Sequence, residues 1–196
     1  MSNNKIRICI SAYLNDSEKK IESAFACVHS FLCQTYDNYE IYIHHDGPLN
    51  DVNLADKFRS LSDKITFIDD LEHKGHWGFY HRHNVAMMEP HADWVLFTNE
   101  DNYYVPTFLE TMISAGVNSG SKMVYCNLVT HYSNYQVLNT VPYRGQIDMG
   151  SFITHFDLIK DTPWTDFISD ADGIYAEKIK SKTTPVKVDG ILFVHN

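Results

Sequence analysis

The chain has 196 residues, 44% of them hydrophobic and 21% charged, the balance of a globular domain, and its length fits one domain under the prior of roughly 100–200 residues each. It contains no apolar run of the roughly 18 residues that a membrane span needs and no basic, apolar leader, so a cytoplasmic protein is expected. Sixteen Lys and Arg against 25 Asp and Glu give a formal net charge of −9, which excludes the basic footprint of a general nucleic-acid or anionic-membrane binder.

Lys5–Ala12, KIRICISA, predicts a first strand. Asn15, Asp16 and Ser17 offer N-caps for a helix whose Ile21, Ala24, Phe25, Val28, Phe31 and Leu32 recur at helical spacing. Cys9, Cys27, Cys33 and Cys126 form no Cys-x-x-Cys pair and read as reduced core residues. A second strand is predicted over Tyr39–His45, then a helix around Leu54, Phe58 and Leu61, and a third strand over Ile65–Asp69. The glycine-bearing EHKGHWG precedes a helix expected over Phe79–Met88. A strand over Trp94–Thr98 follows, then a helix opened by Pro106 and running through Met112. This alternation, to about Ala115, predicts βαβ units and a largely parallel sheet. Beyond it, Met123–Val129 and Ser151–His155 read as strands, ADGIYAEKIKS as a helix and VKVDGILFVH as a last strand, a mixed pattern that completes the same domain. The chain stops at His195 and Asn196, directly after that apolar run, as expected of a domain cut from a longer protein.

Four polar segments, SAYLND, HHDGP, LEHKGHWG and TNEDN, each follow one of the first four predicted strands. In an open α/β sheet, ligands bind in the crevice outside the carboxyl ends of the strands, so these segments are expected to converge on one site. The chain has no Gly-x-Gly-x-x-Gly, P-loop, Gly-x-Ser-x-Gly or His-Glu-x-x-His motif, which argues against a dinucleotide fold, a P-loop enzyme, an α/β-hydrolase and a zincin. Asn99-Glu100-Asp101-Asn102 follows the most apolar strand; its oxygen donors suit a hard cation such as Mn²⁺ or Mg²⁺. The competing reading is a plain turn into the Pro106 helix, because Asn and Asp are common turn formers. His73, His76, His81 and His83 crowd one stretch but lack the helical pair and cysteine partners of common zinc sites, and no zinc site is predicted there.

In order and spacing, CQTYDNYEIYIHHDG, HKGHWGFYHRHNVAM and ADWVLFTNEDNYYVPTFLE resemble the family 2 glycosyltransferases of the GT-A type, over roughly Lys5 to Ala115 with fainter traces beyond. The resemblance implies an α/β fold: a single GT-A domain over residues 1–196, with a mostly parallel twisted sheet flanked by helices. Residues 1–115 would form the nucleotide-sugar half and 116–196 the acceptor side. It also implies transfer of a hexosyl or deoxyhexosyl group from a nucleotide-diphosphate sugar, a UDP-sugar first among them, to a hydroxyl acceptor on a glycan or similar molecule, with Mn²⁺ or Mg²⁺ and with inversion. Ser11, Ala12 and Tyr13 would then line the base and ribose, and Asp46 would contact the base. Arg82 and Asn84 match the Arg-Asn of the helix facing the nucleotide, and Gly75 and Gly78 allow close backbone approach. Asp101 corresponds to the last carboxylate of the family's Asp-x-Asp metal motif; Asn99 stands in place of the first Asp, and Glu100, in the middle, joins the donor-binding set. His195, closing ILFVHN, takes the place of a C-terminal histidine that reaches the metal in many such enzymes.

Inverting transfer needs a base to take the acceptor's proton. Within SDADGIYAEKI, Asp172 falls at the family's catalytic Asp and Lys178 at its Arg, although Ala171 replaces the usual Glu. Helix capping by Asp170 or Asp172 is the alternative. Lys74 and Arg144, with Arg82, are candidate donors to phosphate oxygens or plain surface charges. Tyr132, Tyr135 and Tyr143 either stack on sugar rings or pack the core. A sugar nucleotidyltransferase would want a glycine-rich loop after the first strand, where SAYLNDSEKK has no glycine; a silent sugar-nucleotide or glycan-binding module is the other rival.

Overall fold

The computed structural model describes residues 4–196. Strand β1 (Ile6–Ala12) is buried at every position, because it is central in the sheet and feeds side chains to a helical layer on each face. Ile6, Ile8 and Ile10 enter one layer with Phe31 of α1 (Glu18–Leu32), Phe58 of α2 (Leu54–Arg59) and Met112 of α4 (Phe108–Ser119). Cys9 points the other way, toward Val85 of α3 (Phe79–Ala86) and Tyr175 of α6 (Ala171–Lys180). The period of two in β1 thus divides the core into two clusters.

The sheet order is β3-β2-β1-β4-β8-β6-β9-β5, with β7 paired to β6. Its members are β2 (Tyr39–His45), β3 (Ile65–Asp69), β4 (Trp94–Asn99), β5 (Tyr103–Tyr104), β6 (Met123–Thr130), β7 (Gln136–Leu138), β8 (Phe152–His155) and β9 (Val186–His195). Strands β3, β2, β1 and β4 run parallel, as the alternating sequence predicts. The farther strands mix directions: β8 is antiparallel to both β4 and β6, while β9 is parallel to β6. A short helix, α5 (Phe156–Ile159), follows β8. Strands from both halves of the chain therefore share one sheet.

Ser17 caps α1, its hydroxyl accepting from the Lys20 N–H at 3.3 Å. Helix α4 begins at Phe108 rather than at Pro106 and runs past Met112 to Ser119. The Pro106 carbonyl is taken by the Thr35 N–H at 2.8 Å, and the α4 terminus is capped across space by Gln34 Oε1, which accepts from the Leu109 N–H at 2.9 Å. Of the four cysteines, Cys33 is exposed at the end of α1, while the other three are buried.

Arg7 is wholly buried on the α3 side of β1. Its guanidinium donates to the carbonyls of Val85 (2.9 Å), Met88 (2.5 Å) and Pro90 (2.6 Å) and to Glu40 Oε1 (2.7 Å). These bonds satisfy carbonyls that the C-terminus of α3 leaves open and set a cation against its dipole. The helix that carries His81 and Arg82 is anchored this way.

Candidate active site

The order 3-2-1-4 places the switch point between β1 and β4, and a cleft of about 250 Å³ opens at their carboxyl ends. Ser11, Ala12 and Tyr13 form one wall as the chain leaves β1; Asn99, Glu100 and Asp101 form the other as it leaves β4. Asp46, beyond β2, closes the cleft together with Gly75, Gly78 and His73, and Lys20 reaches in from α1.

Asp46 is buried, and both carboxylate oxygens accept backbone N–H bonds at 2.7 Å, from Lys74 and Gly75. Burial would raise its pKa, but these two bonds and the nearby His73 and His81 outweigh it and hold the carboxyl below its usual range. Asp46 thus fixes the 73–78 loop as well as lining the cleft. Gly78 has φ of +72°, and a Cβ there would lie 2.6 Å from Ser11 Cβ, so the loop packs this close to β1 only with glycine. The Tyr13 ring packs on His73, with centroids 4.3 Å apart. His45 is buried behind it, its Nε2 accepting from the Leu14 N–H at 2.9 Å and its Nδ1 2.7 Å from the Gly47 carbonyl, which fixes the proton on Nδ1.

The opposite wall is acidic. Burial and the adjacent Asp101 charge push the Glu100 carboxyl up to about 7, and burial also raises Asp101. The Tyr13 N–H donates to Glu100 Oε1 at 3.4 Å, and Lys20 draws both carboxyls back toward ionisation. His195 ends β9 in register with Thr130; its Nε2 is 3.8 Å from Asp148 Oδ2, and its charge acts on Asp101. Glu100 and Asp101 at the first cleft and Asp148 and His195 at the second offer oxygen and imidazole donors of the kind that suits a divalent cation such as Mn²⁺ or Mg²⁺, but among the described residues these four are not gathered to coordination spacing.

A second cleft, about 210 Å³, holds Asp148, Asp172 and His195 with Thr130 and Leu138. Arg82 stands between the two clefts. Its Nη2 donates to Asn99 Oδ1 at 3.1 Å, its Nε to Ser11 Oγ at 3.4 Å and its Nη1 to Asp172 Oδ1 at 3.4 Å. Burial lowers its pKa to about 10, so it remains a cation at neutral pH. Burial and the neighbouring Asp148 push Asp172 up to about 6, against the pull of Arg82.

Several expectations need correction. Asn84, two residues on from Arg82 and therefore on another side of α3, is exposed and lines neither cleft. Arg82 lies beneath the cleft rather than in it, bonded to protein groups. Asp170 occupies the N-cap position of α6 without a side-chain cap bond, because its carboxylate accepts from Arg144 Nε at 2.9 Å. Lys178 is paired with Asp166 at 2.5 Å, and Lys74 Nζ lies 3.9 Å from Asp70. Tyr132, Tyr135 and Tyr143 are exposed, which removes the core-packing alternative. His45 and His73 belong to the cleft region and fall within HHDGP and LEHKGHWG, two of the segments expected there, although no motif assigns either a role; Lys20 reaches in from α1 and lies outside all four segments.

No curated protein matches the chain by sequence. Among solved structures, residues 1–349 of S. aureus TarS superpose with a TM-score of 0.76 at 13% identity, covering 98% of this chain and 60% of that one. The same TarS fragment in complex with UDP-GlcNAc gives 0.71 at 15% identity, over 97% and 58%. The mannosyltransferase PcManGT from Pyrobaculum calidifontis, in complex with GDP-Man and Mn²⁺, gives 0.76 at 13% identity, over 98% and 56%. The chain spans less than two thirds of the length of each, and at these identities the likeness is one of fold. The profile described as glycosyl transferase family 2 matches residues 8–163, from β1 to just past α5; with that match and a GT-A fold, the chain belongs to glycosyl transferase family 2.

Proposed function

We propose that this domain transfers a sugar from a nucleotide-diphosphate sugar, a UDP-sugar in the first instance, to a hydroxyl acceptor with inversion. The observation that carries this reading is the position of Arg82. It bonds Ser11 and Asn99 at the first cleft and Asp172 at the second, so a carboxylate suited to proton removal stands beside the pocket suited to the donor. TarS has been solved with UDP and UDP-GlcNAc, which supports the choice of donor.

In this reading Tyr13 and Asp46 face the base and ribose, and Glu100 and Asp101 face the diphosphate. A carboxylate about 4 Å from a phosphate charge is repelled by about 4 kcal/mol at an effective dielectric near 20. Asp101 and His195, with Glu100 beside them, would hold the divalent ion; when bound it offsets that repulsion and stabilises the charge that develops on the leaving nucleoside diphosphate. Asp172, with a pKa of about 6, is ionised at neutral pH and accepts the acceptor's proton. Arg82 is a positioning residue that orients this carboxylate. The second cleft, with Tyr132 and Tyr143 exposed nearby in sequence, receives the acceptor.

The test pairs thermal melts across UDP- and GDP-sugars, with and without Mn²⁺, with an assay of donor hydrolysis and transfer. A ligand that binds the folded state at about 100 times its Kd adds about 2.7 kcal/mol of stability. A metal-dependent rise with UDP-sugars and turnover lost in Asp172→Asn are expected. No rise with any nucleotide sugar would overturn the reading, and a rise without turnover would make the domain a binding module.

A further inference from the structure

We infer that His44, Asp70 and His81 form a second metal site, for a zinc-class transition ion, beneath the base end of the donor cleft and separate from the acidic wall at Glu100 and Asp101. The strand period sets it up. His45 faces one layer and is fully committed to Leu14 and Gly47, so its neighbour His44 faces the other layer, toward α3. His81, in the first turn of α3, comes down onto it, with ring centroids 4.1 Å apart. Asp70 directly follows β3, the strand hydrogen-bonded beside β2, and its carboxylate reaches the Nε2 atoms of both rings.

One ligand atom from each of the three residues lies within 4.8 Å of the other two. His44 Nε2 is 3.2 Å from Asp70 Oδ1, and His81 Nε2 is 2.9 Å from Asp70 Oδ2. A tetrahedral ion with ligands at 2.0–2.1 Å spaces its donor atoms about 3.3 Å apart, so each imidazole already stands near coordination spacing from one oxygen of Asp70, with one ligand atom of all three residues inside 4.8 Å. Both ring nitrogens of His44 and Oδ2 of Asp70 are buried without a hydrogen-bond partner; the approaches to Asp70 have the distance of a hydrogen bond but not its direction. Buried polar atoms are ordinarily satisfied, and such exceptions call for an explanation. A proton shared between His81 and Asp70 would leave His44 bare, whereas a cation engages all three residues at once. Two imidazoles and one carboxylate suit Zn²⁺ better than Mg²⁺, and three protein ligands leave a fourth position open.

The site also touches donor binding. His81 Nε2 lies 3.4 Å from Asp46 Oδ1. A ring nitrogen bound to metal has no proton to donate there, so metal loading leaves Asp46 with the Lys74 and Gly75 N–H groups and with His73, whose Nδ1 is 3.1 Å from Oδ2, and frees the direction that faced His81.

The site stands independently of the transfer reading and is tested on the full chain without any nucleotide. Protein stripped with a chelator is titrated with Zn²⁺ in competition with a chromogenic chelator, and with Co²⁺ by visible absorption. The expected result is one tight equivalent and the intense d–d bands of a four-coordinate cobalt site. His44→Asn and Asp70→Asn should each weaken Zn²⁺ binding at least about 100-fold, the upper end of what outer-sphere partners cost, while Asp101→Asn retains it. If either variant fails to fold, His81→Gln and the wild-type cobalt spectrum decide. No tight equivalent in folded wild type, or zinc lost in Asp101→Asn and kept in the other variants, would overturn the assignment.

Discussion

Arg82 Nη1 meets Asp172 Oδ1 at 3.4 Å across 90 positions of sequence. The contact joins α3 to the first turn of α6, and with them the first cleft to the second. Both partners sit on helix faces that turn inward, and the Arg82 guanidinium is also stacked on Phe79, 4.3 Å from the ring centroid. The pair therefore has a structural as well as a chemical consequence.

Removing one member of a buried ion pair leaves an uncompensated charge, at a cost of about 3–5 kcal/mol. Arg82→Ala should lower the unfolding free energy by about that amount in urea melts at pH 7. Arg82→Lys keeps the charge but loses the planar fork that reaches Ser11, Asn99 and Asp172 together, so an intermediate loss is expected. A change below about 1 kcal/mol in Arg82→Ala would show that the contact does not hold the two helices.

The raised pKa of Asp172 fixes the sign of the pH dependence. A base must be ionised, so kcat/KM should fall about tenfold per pH unit below 6 and level off above it. Asp172→Asn should cut transfer by about 10²-fold or more and flatten that limb, with donor affinity preserved. Stability runs the opposite way. The folded state holds this proton to a higher pH than the unfolded chain does, so the contribution of Asp172 declines as pH rises from 3.8 to about 6. A rate profile with no limb near 6 would remove Asp172 as the base.

Gly78→Ala introduces a Cβ against Ser11 at a backbone angle that side chains rarely adopt. The strain is about 1–3 kcal/mol, and its relief requires the 75–78 loop to move off β1. Nucleoside diphosphate affinity should drop at least about tenfold, since Ser11 and Gly78 line the same cleft. Unchanged affinity by calorimetry would mean that the loop can retreat without disturbing the pocket.

What the sequence discloses follows from how local the cause is. Strands β2 and β3 have the bounds read from the sequence because β2 is a nearly continuous buried run, β3 alternates buried Ile65 and Phe67 with exposed Thr66, and polar turns mark the ends of both. The cleft was legible for the same reason: its walls are the residues that leave β1 and β4. The antiparallel β8 and the two-residue β5 exist through pairings with distant strands, which no local pattern encodes. Asn84 illustrates a motif carried over without its helix phase: Arg82 turns inward, and a residue two positions on turns out. His44 and His81 lie 37 positions apart, so their meeting with Asp70 depends on the sheet and not on spacing.

The metal assignment proposed for the donor cleft makes the most demanding prediction, because it requires two residues 94 positions apart in sequence to act as one. Asp101 leaves β4, whereas His195 ends β9, two strands that are not neighbours in the sheet, yet His195 is near enough to draw the Asp101 carboxyl toward ionisation. If both hold one ion, Asp101→Asn and His195→Ala should each weaken Mn²⁺-dependent binding of UDP by at least about tenfold. The double variant should lose little beyond the worse single, because residues sharing one partner are not additive. With EDTA present, wild type and all three variants should bind UDP alike, since the base and ribose contacts come from β1 and β2. Calorimetry with and without Mn²⁺ measures each of these. Losses that sum fully, or that persist in EDTA, would place the two residues in separate roles and return His195 to being the end of a strand beside Asp148.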